Sequence, residues 1–216
     1  MFKQVMTAAM GLMLLGAAHS ATAAVEVNTQ DPYIMMETVA NQTFNRFKSD
    51  KPKIDADRNY LKVIVEEELM PHVDYRYAGL KAMGRYVKDA SAEQRQAFVD
   101  AFRAYLITTY ADALGSYTDQ TIEFAPAKQQ DDAKDVRVYV KIVDPGRPDI
   151  NVEFRLRKQK DDSWKAYDLK AEGVSILRSK TDEFDGLIRQ HGLDQFIQML
   201  NEKAAESVQI KQEQGA

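Results

Sequence analysis

Few side chains in this sequence are placed to do chemistry. Histidine supplies a general base or a metal ligand near neutral pH, and beyond His19 the chain holds only His72 and His191, far apart and each among polar neighbours. Paired carboxylates can divide acid and base duties across a substrate. Here Glu66-Glu67-Glu68 and Asp131-Asp132 stand side by side, which on a helix or in a loop sends them in different directions or into water, so both read as solvated faces. Asp168 with Tyr167 or Tyr139 could pair a base with a tyrosine, but nothing in the spacing brings those groups together. No glycine-rich phosphate loop, G-x-S-x-G elbow or metal-ligand spacing occurs. No catalytic, cofactor-binding or metal-ligating residue is therefore expected, and the chain reads as a non-enzyme.

The elements that would position any site divide the chain in two. In the first half apolar residues recur at helical spacing. Asp31-Pro32 is a start signal, followed by Tyr33, Met36, Ala40, Phe44 and Phe47 on one stripe. A second helix is expected from near Asp57, with Leu61, Ile64, Val65 and Leu69 inward and Pro71 at its end, then a short one from about Tyr75 to Met83. The clearest runs from Ser91 to Leu114, with a Ser91/Gln94 capping box and Phe98, Phe102, Tyr105 and Tyr110 expected on one inward face. In the second half the period changes to two. Val136, Val138, Val140 and Ile142 alternate with polar residues, and after the turn at 144–148 so do Ile150, Val152, Phe154 and Leu156. With strands at Thr121 to Ala125 and Trp164 to Ala171, this predicts four antiparallel strands, then two helices, Val174 to Arg189 and Asp194 to Ala205. The expected class is α+β, with helices on one face of a four-stranded antiparallel sheet.

Composition adds limits. One positive residue, Lys3, precedes an apolar run from Val5 to Ala18 and small residues ending in Ala21-Thr22-Ala23, the grammar of a cleavable signal peptide over residues 1–23. The run falls short of the ~20 apolar residues a spanning helix needs. The chain contains no cysteine, which excludes a lipidated N-terminal cysteine, disulfides and thiolate metal sites, and its net charge of −4 argues against nucleic acid as a partner. The organisation expected is a signal at 1–23, a flexible stretch at 24–30, one domain over 31–205 and a polar tail at 206–216.

One segment carries more than pattern. Trp164-Lys165-Ala166-Tyr167-Asp168-Leu169-Lys170-Ala171-Glu172-Gly173-Val174-Ser175 resembles the W-x-x-Y-D-x-x-x-E-G-V-S signature of the MlaC family of toluene-tolerance proteins. Further matches fall in the family's order: Asp31-Pro32-Tyr33, Glu68-Leu69-Met70-Pro71, Tyr77-Ala78-Gly79, Gln94-Arg95, Ala101-Phe102-Arg103 and the turn Asp144-Pro145-Gly146-Arg147-Pro148. After the signature, Arg178-Ser179-Lys180-Thr181 departs from the neutral-aromatic-basic run of many relatives. The resemblance implies a monomeric periplasmic phospholipid carrier that maintains outer-membrane lipid asymmetry. Its ligand would be a phospholipid, with transient docking to an outer-membrane lipoprotein complex and an inner-membrane ABC transporter complex.

Such a task needs apolar volume more than polar precision. Each buried methylene contributes about 0.8 kcal/mol, so one sixteen-carbon chain exposed to water costs on the order of 12 kcal/mol. The expected lining is Val138, Val140, Val152 and Phe154 on the sheet, Phe98, Phe102 and Tyr105 on the long helix, and Val174 and Leu177 beside the signature. Arg178 and Lys180 read as solvated, with a phosphate contact as the other reading. Trp164, Ala166 and Asp168 would share a face of an unbroken strand, so a bulge or a hydrogen-bonded Asp168 with a folding role is expected. The competing functions are a cone-shaped-cavity enzyme of the ketosteroid-isomerase-like type, with Asp168 as base, and a structural periplasmic adaptor with a filled core.

Overall fold

The computed structural model describes residues 26–116, 120–127, 133–146 and 148–208. The expected signal at 1–23, the acids Asp131 and Asp132 and the tail beyond 208 lie outside the described residues.

Helix α1 (Pro32–Ser49) starts where its sequence predicts, with the Asp31 side chain accepting from the N–H groups of Tyr33 and Ile34 at 2.8 and 2.9 Å. Short helices α2 (Lys51–Ala56) and α3 (Tyr60–Ile64) follow, then α4 (Tyr75–Ala82) and the long α5 (Ala92–Gly115). At the start of α5 the capping box forms, Ser91 Oγ accepting from Gln94 N–H at 3.1 Å and Gln94 Oε1 from Ser91 N–H at 3.0 Å. The single helix expected from Asp57 to Pro71 is interrupted: after α3 the chain widens into a π turn over Val65–Leu69 and tightens into a 3-10 turn over Met70–His72. Three adjacent glutamates in the wide turn reach different partners. Glu66 pairs with Arg103 on α5 at 2.9 Å, while Glu67 and Glu68 pair with Arg46 on α1 at 2.9 and 3.1 Å. These acids tie helices together instead of only facing water.

The sheet is an antiparallel meander of β1 (Thr121–Phe124), β2 (Asp135–Val143), β3 (Ile150–Lys158), β4 (Trp164–Ala171) and β5 (Val174–Ser175), paired in that order. Alternation holds along β2, where Val136, Val138 and Val140 are buried and Asp135, Arg137 and Tyr139 are exposed. The wet face carries cross-strand ion pairs such as Lys141 to Glu123 at 3.3 Å and Lys170 to Glu153 at 3.3 Å.

There is one strand more than the four expected. Glu172 (φ 48°) and Gly173 (φ 81°) both adopt left-handed backbone, making the two-residue turn that sets Val174 opposite Ala171. Val174 is therefore a strand residue, and helix α6 (Ile176–His191) starts two positions later than expected, before α7 (Leu193–Ala205). The expected irregularity in β4 is also present. Arg155 faces Asp168 and Leu156 faces Ala166, so Tyr167 is the extra residue of a bulge. Trp164 and Ala166 can then belong to the apolar layer while Asp168 turns to other partners.

The fold is α+β, and its buried residues form three separate clusters. One joins the sheet to α1 through Met35, Val39, Val138, Val152 and Leu156; a second joins α4, α5, α6 and α7; a third joins α2 and α3 to the other flank of α5. Helices α1, α4 and α6 pack directly on the strands, whereas the close neighbours of α5 are α7, α4 and α3. The long helix therefore sits one step back from the sheet.

Segments near both ends of the described residues contact the rest of the fold. Trp164 N–H donates to Thr29 O at 2.7 Å and Val27 packs on the sheet cluster. Buried Val208 donates its N–H to Asn59 Oδ1 at 3.2 Å, and Lys62 Nζ holds the carbonyls of Ala204 and Glu206 at 2.9 and 2.6 Å. No helix among the described residues is long and apolar enough to cross a membrane.

Candidate functional site

The inner face of the sheet brings four of the expected lining residues together. Register pairs Val138 with Phe154 and Val140 with Val152, and all four belong to the sheet cluster, the valines buried and Phe154 half-buried. Met36, Leu69 and Leu169 border them, each half-buried.

The helix side differs from the expectation. Phe98, Phe102 and Tyr105 do not face the sheet valines; they pack around Phe184 of α6, with centroid separations of 6.3, 6.3 and 6.2 Å, and Phe196 of α7 lies 6.1 Å from Phe98. Phe98 has no exposed surface at all. Helix geometry gives the reason. At about 100° per residue Tyr110 sits roughly 140° around α5 from Tyr105, so the four aromatic rings cannot share one side. Three serve the helical core, and the fourth turns toward α3.

Tyr110 is the residue that sequence reasoning missed as part of the site. Its ring packs against the α2, α3 and α5 cluster, and burial pushes its hydroxyl up to about 12, with the nearby Asp168 carboxylate and Tyr105 adding to the shift. By accessible surface the side chain is half-buried. The hydroxyl makes no hydrogen bond among the described residues. Leu69 marks a seam, because it packs against both the sheet cluster and the α3 cluster. The spacing carried no signal for it: Leu106, one helical turn away, packs on the helical cluster instead.

The two residues beside the signature stand in different surroundings. Leu177 packs on the helical cluster, while Val174 is 58% exposed on β5. Asp168 fastens the edge. It accepts from the N–H of Leu169 at 2.8 Å, Ser175 Oγ at 2.8 Å and the N–H of Leu177 at 3.1 Å, and Ser175 Oγ in turn caps α6 by accepting from Arg178 N–H at 3.0 Å. The signature is thus a strand, a tight turn and a helix cap in succession.

The remaining polar candidates are engaged elsewhere. The Tyr167 hydroxyl donates to Asp135 and Tyr139 is exposed on the wet face, so neither stands with Asp168 as a base and tyrosine pair. His72 is half-buried and held below its ordinary range by burial and by Lys165. Arg178 pairs with Asp182 at 3.0 Å, and Lys180 pairs with Glu183 at 2.8 Å and lies 5.5 Å from the centroid of the Tyr105 ring. A depression of about 380 Å³ opens at the sheet, lined by Val140 and Val152 of the expected lining together with Phe124, Tyr139, Lys141, Asn151 and Lys170.

A sheet with one apolar face, bordered by a seam toward a set-back long helix and with its edge acid committed to capping, defines an α+β protein built around an apolar layer. The chain belongs to the MlaC family: the model of the MlaC protein family matches residues 37–202. It is 33% identical over 183 residues to the intermembrane phospholipid transport system binding protein MlaC of Haemophilus influenzae, covering 84% of this chain and 86% of that one. It is 26% identical over 185 residues to the toluene tolerance protein ttg2D of Pseudomonas putida, covering 85% and 84%. Among solved structures, the phospholipid-binding protein from Ralstonia solanacearum in complex with a phospholipid superposes with a TM-score of 0.71 at 26% identity, covering 81% of this chain and 97% of that one.

Proposed function

We propose that this protein is a periplasmic phospholipid carrier, exported by cleavage of residues 1–23. It would take lipid between an outer-membrane lipoprotein complex and an inner-membrane ABC transporter complex as a diffusing monomer. The observation that carries this reading is the Ralstonia protein, which shares the fold and holds a phospholipid. The named role of the Haemophilus relative supports it. Acyl chains would lie against Val138, Val140, Val152 and Phe154, enter the seam toward Leu69 and Tyr110, and emerge past Leu177 and Val174. Phe98, Phe102 and Tyr105 would back the site from the helical core. Burying methylenes at about 0.8 kcal/mol each accounts for retention without an exact polar constellation, and transient docking follows because a shuttle held tightly by either complex could not leave it.

The test is lipid extraction and native mass spectrometry of the exported protein beside Val174→Glu. Val174 is 58% exposed, so the substitution spares the fold. A carrier co-purifies with phospholipid and the variant carries less, since a charge at the mouth opposes entry of an acyl chain. Wild-type protein free of phospholipid after export would refute the carrier. Full loading of Val174→Glu would refute the placement of the mouth.

A further inference from the structure

The chain is acidic as a whole, with a net charge of −4, yet one end of its sheet is basic. A depression of about 880 Å³ opens there beside the β3–β4 turn, and its lining sets five cations against the two acids Asp161 and Asp162. Backbone pairing gathers the cations. Arg157 and Lys165 are Cα partners across β3 and β4, and Lys158 N–H donates to the carbonyl of Lys134, just ahead of β2, at 3.0 Å. Gln159 N–H closes the turn on Ser163 O at 2.7 Å, leaving Lys160 exposed at its tip. Two of the five are neutralised, Arg157 by Asp74 at 2.7 Å and Lys158 by Asp162 at 3.0 Å. Asp161 is committed to the turn, accepting from Ser163 Oγ at 2.7 Å and Ser163 N–H at 3.2 Å. Lys134, Lys160 and Lys165 form no ion pair among the described residues, and the first two are exposed. Like charges gathered without counter-ions raise the free energy of the unbound surface, and an anionic partner relieves it.

We propose that this end of the sheet is a docking surface for an acidic segment of a partner protein. The choice of a protein over a bilayer rests on the phospholipid-carrier reading. Lys158 and Trp164 close β3 and β4 at the far end from the paired residues Val152, Ala171 and Val174, about 20 Å away at about 3.3 Å per residue. A bilayer bound here would therefore face away from the mouth placed at Val174. A bilayer is also flat and would meet exposed Asp161 and Asp162 along with the lysines, whereas a narrow acidic segment can enter the depression. Docking at this end leaves the mouth uncovered. Exposed charges speed the encounter and still release it, which suits a shuttle.

The experiment measures binding of a fluorescent oligoglutamate peptide to the exported protein by anisotropy, beside vesicles of phosphatidylethanolamine and phosphatidylglycerol. An ionic strength of about 0.1 M screens charges more than about 10 Å apart. Two double variants change the net charge equally. Lys134→Glu with Lys160→Glu reverses the two exposed unpaired lysines of the depression, and Lys48→Glu with Lys88→Glu reverses two exposed lysines outside it. All four are surface positions, so the fold is spared. Wild-type protein should bind the peptide, with affinity falling as salt rises. The first variant should bind about tenfold more weakly and the second no more than about threefold. Equal weakening in both variants, or no peptide binding by wild-type protein, overturns the docking surface. Tighter binding to the vesicles than to the peptide overturns the choice of partner. Phospholipid loading, read by native mass spectrometry on the same samples, should stay at the wild-type level in both variants, and a fall in the first alone would make the depression part of the lipid site and overturn the proposal. Wild-type protein that binds the peptide but carries no phospholipid refutes the carrier reading and leaves the basic surface standing.

Discussion

Removing the Asp168 carboxylate should weaken the fold at the junction of β4, β5 and α6. Asp168→Ala deletes the acceptor for Ser175 Oγ at 2.8 Å, Leu177 N–H at 3.1 Å and Leu169 N–H at 2.8 Å. Hydrogen bonds to a charged acceptor contribute about 1.5–3 kcal/mol each, but contributions within one network do not add. The Leu169 contact is local to its neighbour, and Ser175 keeps its cap on Arg178 N–H, so the half-buried Leu177 N–H carries the largest single loss. A total of about 2–4 kcal/mol follows, and with a urea slope of about 2–3 kcal/mol/M for a domain of this size the unfolding midpoint should fall by about 0.7–2 M. Asp168→Asn retains one acceptor oxygen and should lose less than half as much. Urea unfolding followed by circular dichroism measures both. A midpoint for Asp168→Ala within about 0.3 M of wild type would refute the capping role and reopen the reading of Asp168 as a reactive base.

Three further outcomes follow from the helical core and the ion pairs of Arg46. Phe184, only 2% exposed and ringed by Phe98, Phe102, Tyr105 and Phe196, should cost about 3–5 kcal/mol on Phe184→Ala by thermal or urea unfolding. Phe102→Leu, which trims the same core, should leave phospholipid per folded molecule unchanged, and a loss of loading would return Phe102 to the lining. Arg46 pulls the Asp50 carboxyl down from its ordinary value of 3.8 to about 2, with Lys53 and Tyr60 assisting. Because the folded-state value is depressed, that stabilisation is present above the ordinary carboxylate range and is lost as the pH falls through about 2. The gap in urea midpoint between wild type and Asp50→Asn should be widest near neutrality and close on acidification, and a gap that does not change with pH would assign Asp50 a purely packing role.

The elements were legible because local rules governed them. The Asp31 cap, the Ser91 and Gln94 capping box and the strict alternation of β2 and β3 act over a few residues, and each appears where the sequence puts it. Even the conflict between Trp164 and Asp168 on one strand face was readable, since two such side chains require the bulge found at Tyr167. Less legible were features set by what arrives from elsewhere in the chain. The π turn at Val65–Leu69 places three glutamates against Arg46 and Arg103, partners 21 or more positions away, and β5 exists because Glu172 and Gly173 turn the chain back on β4.

By itself the sequence determined the class of the fold, the apolar face of the sheet and the resemblance that points to lipid, because periodicity and a matched signature are properties of order along the chain. Only the tertiary structure decided which side of α5 meets which layer. An apolar ring at helical spacing states that it will be buried but not against what, and the answer depended on α6 and α7, whose Phe184 and Phe196 claim Phe98, Phe102 and Tyr105. The same packing leaves Tyr110 on the α3 side of the helix, a distinction no spacing along the chain could express.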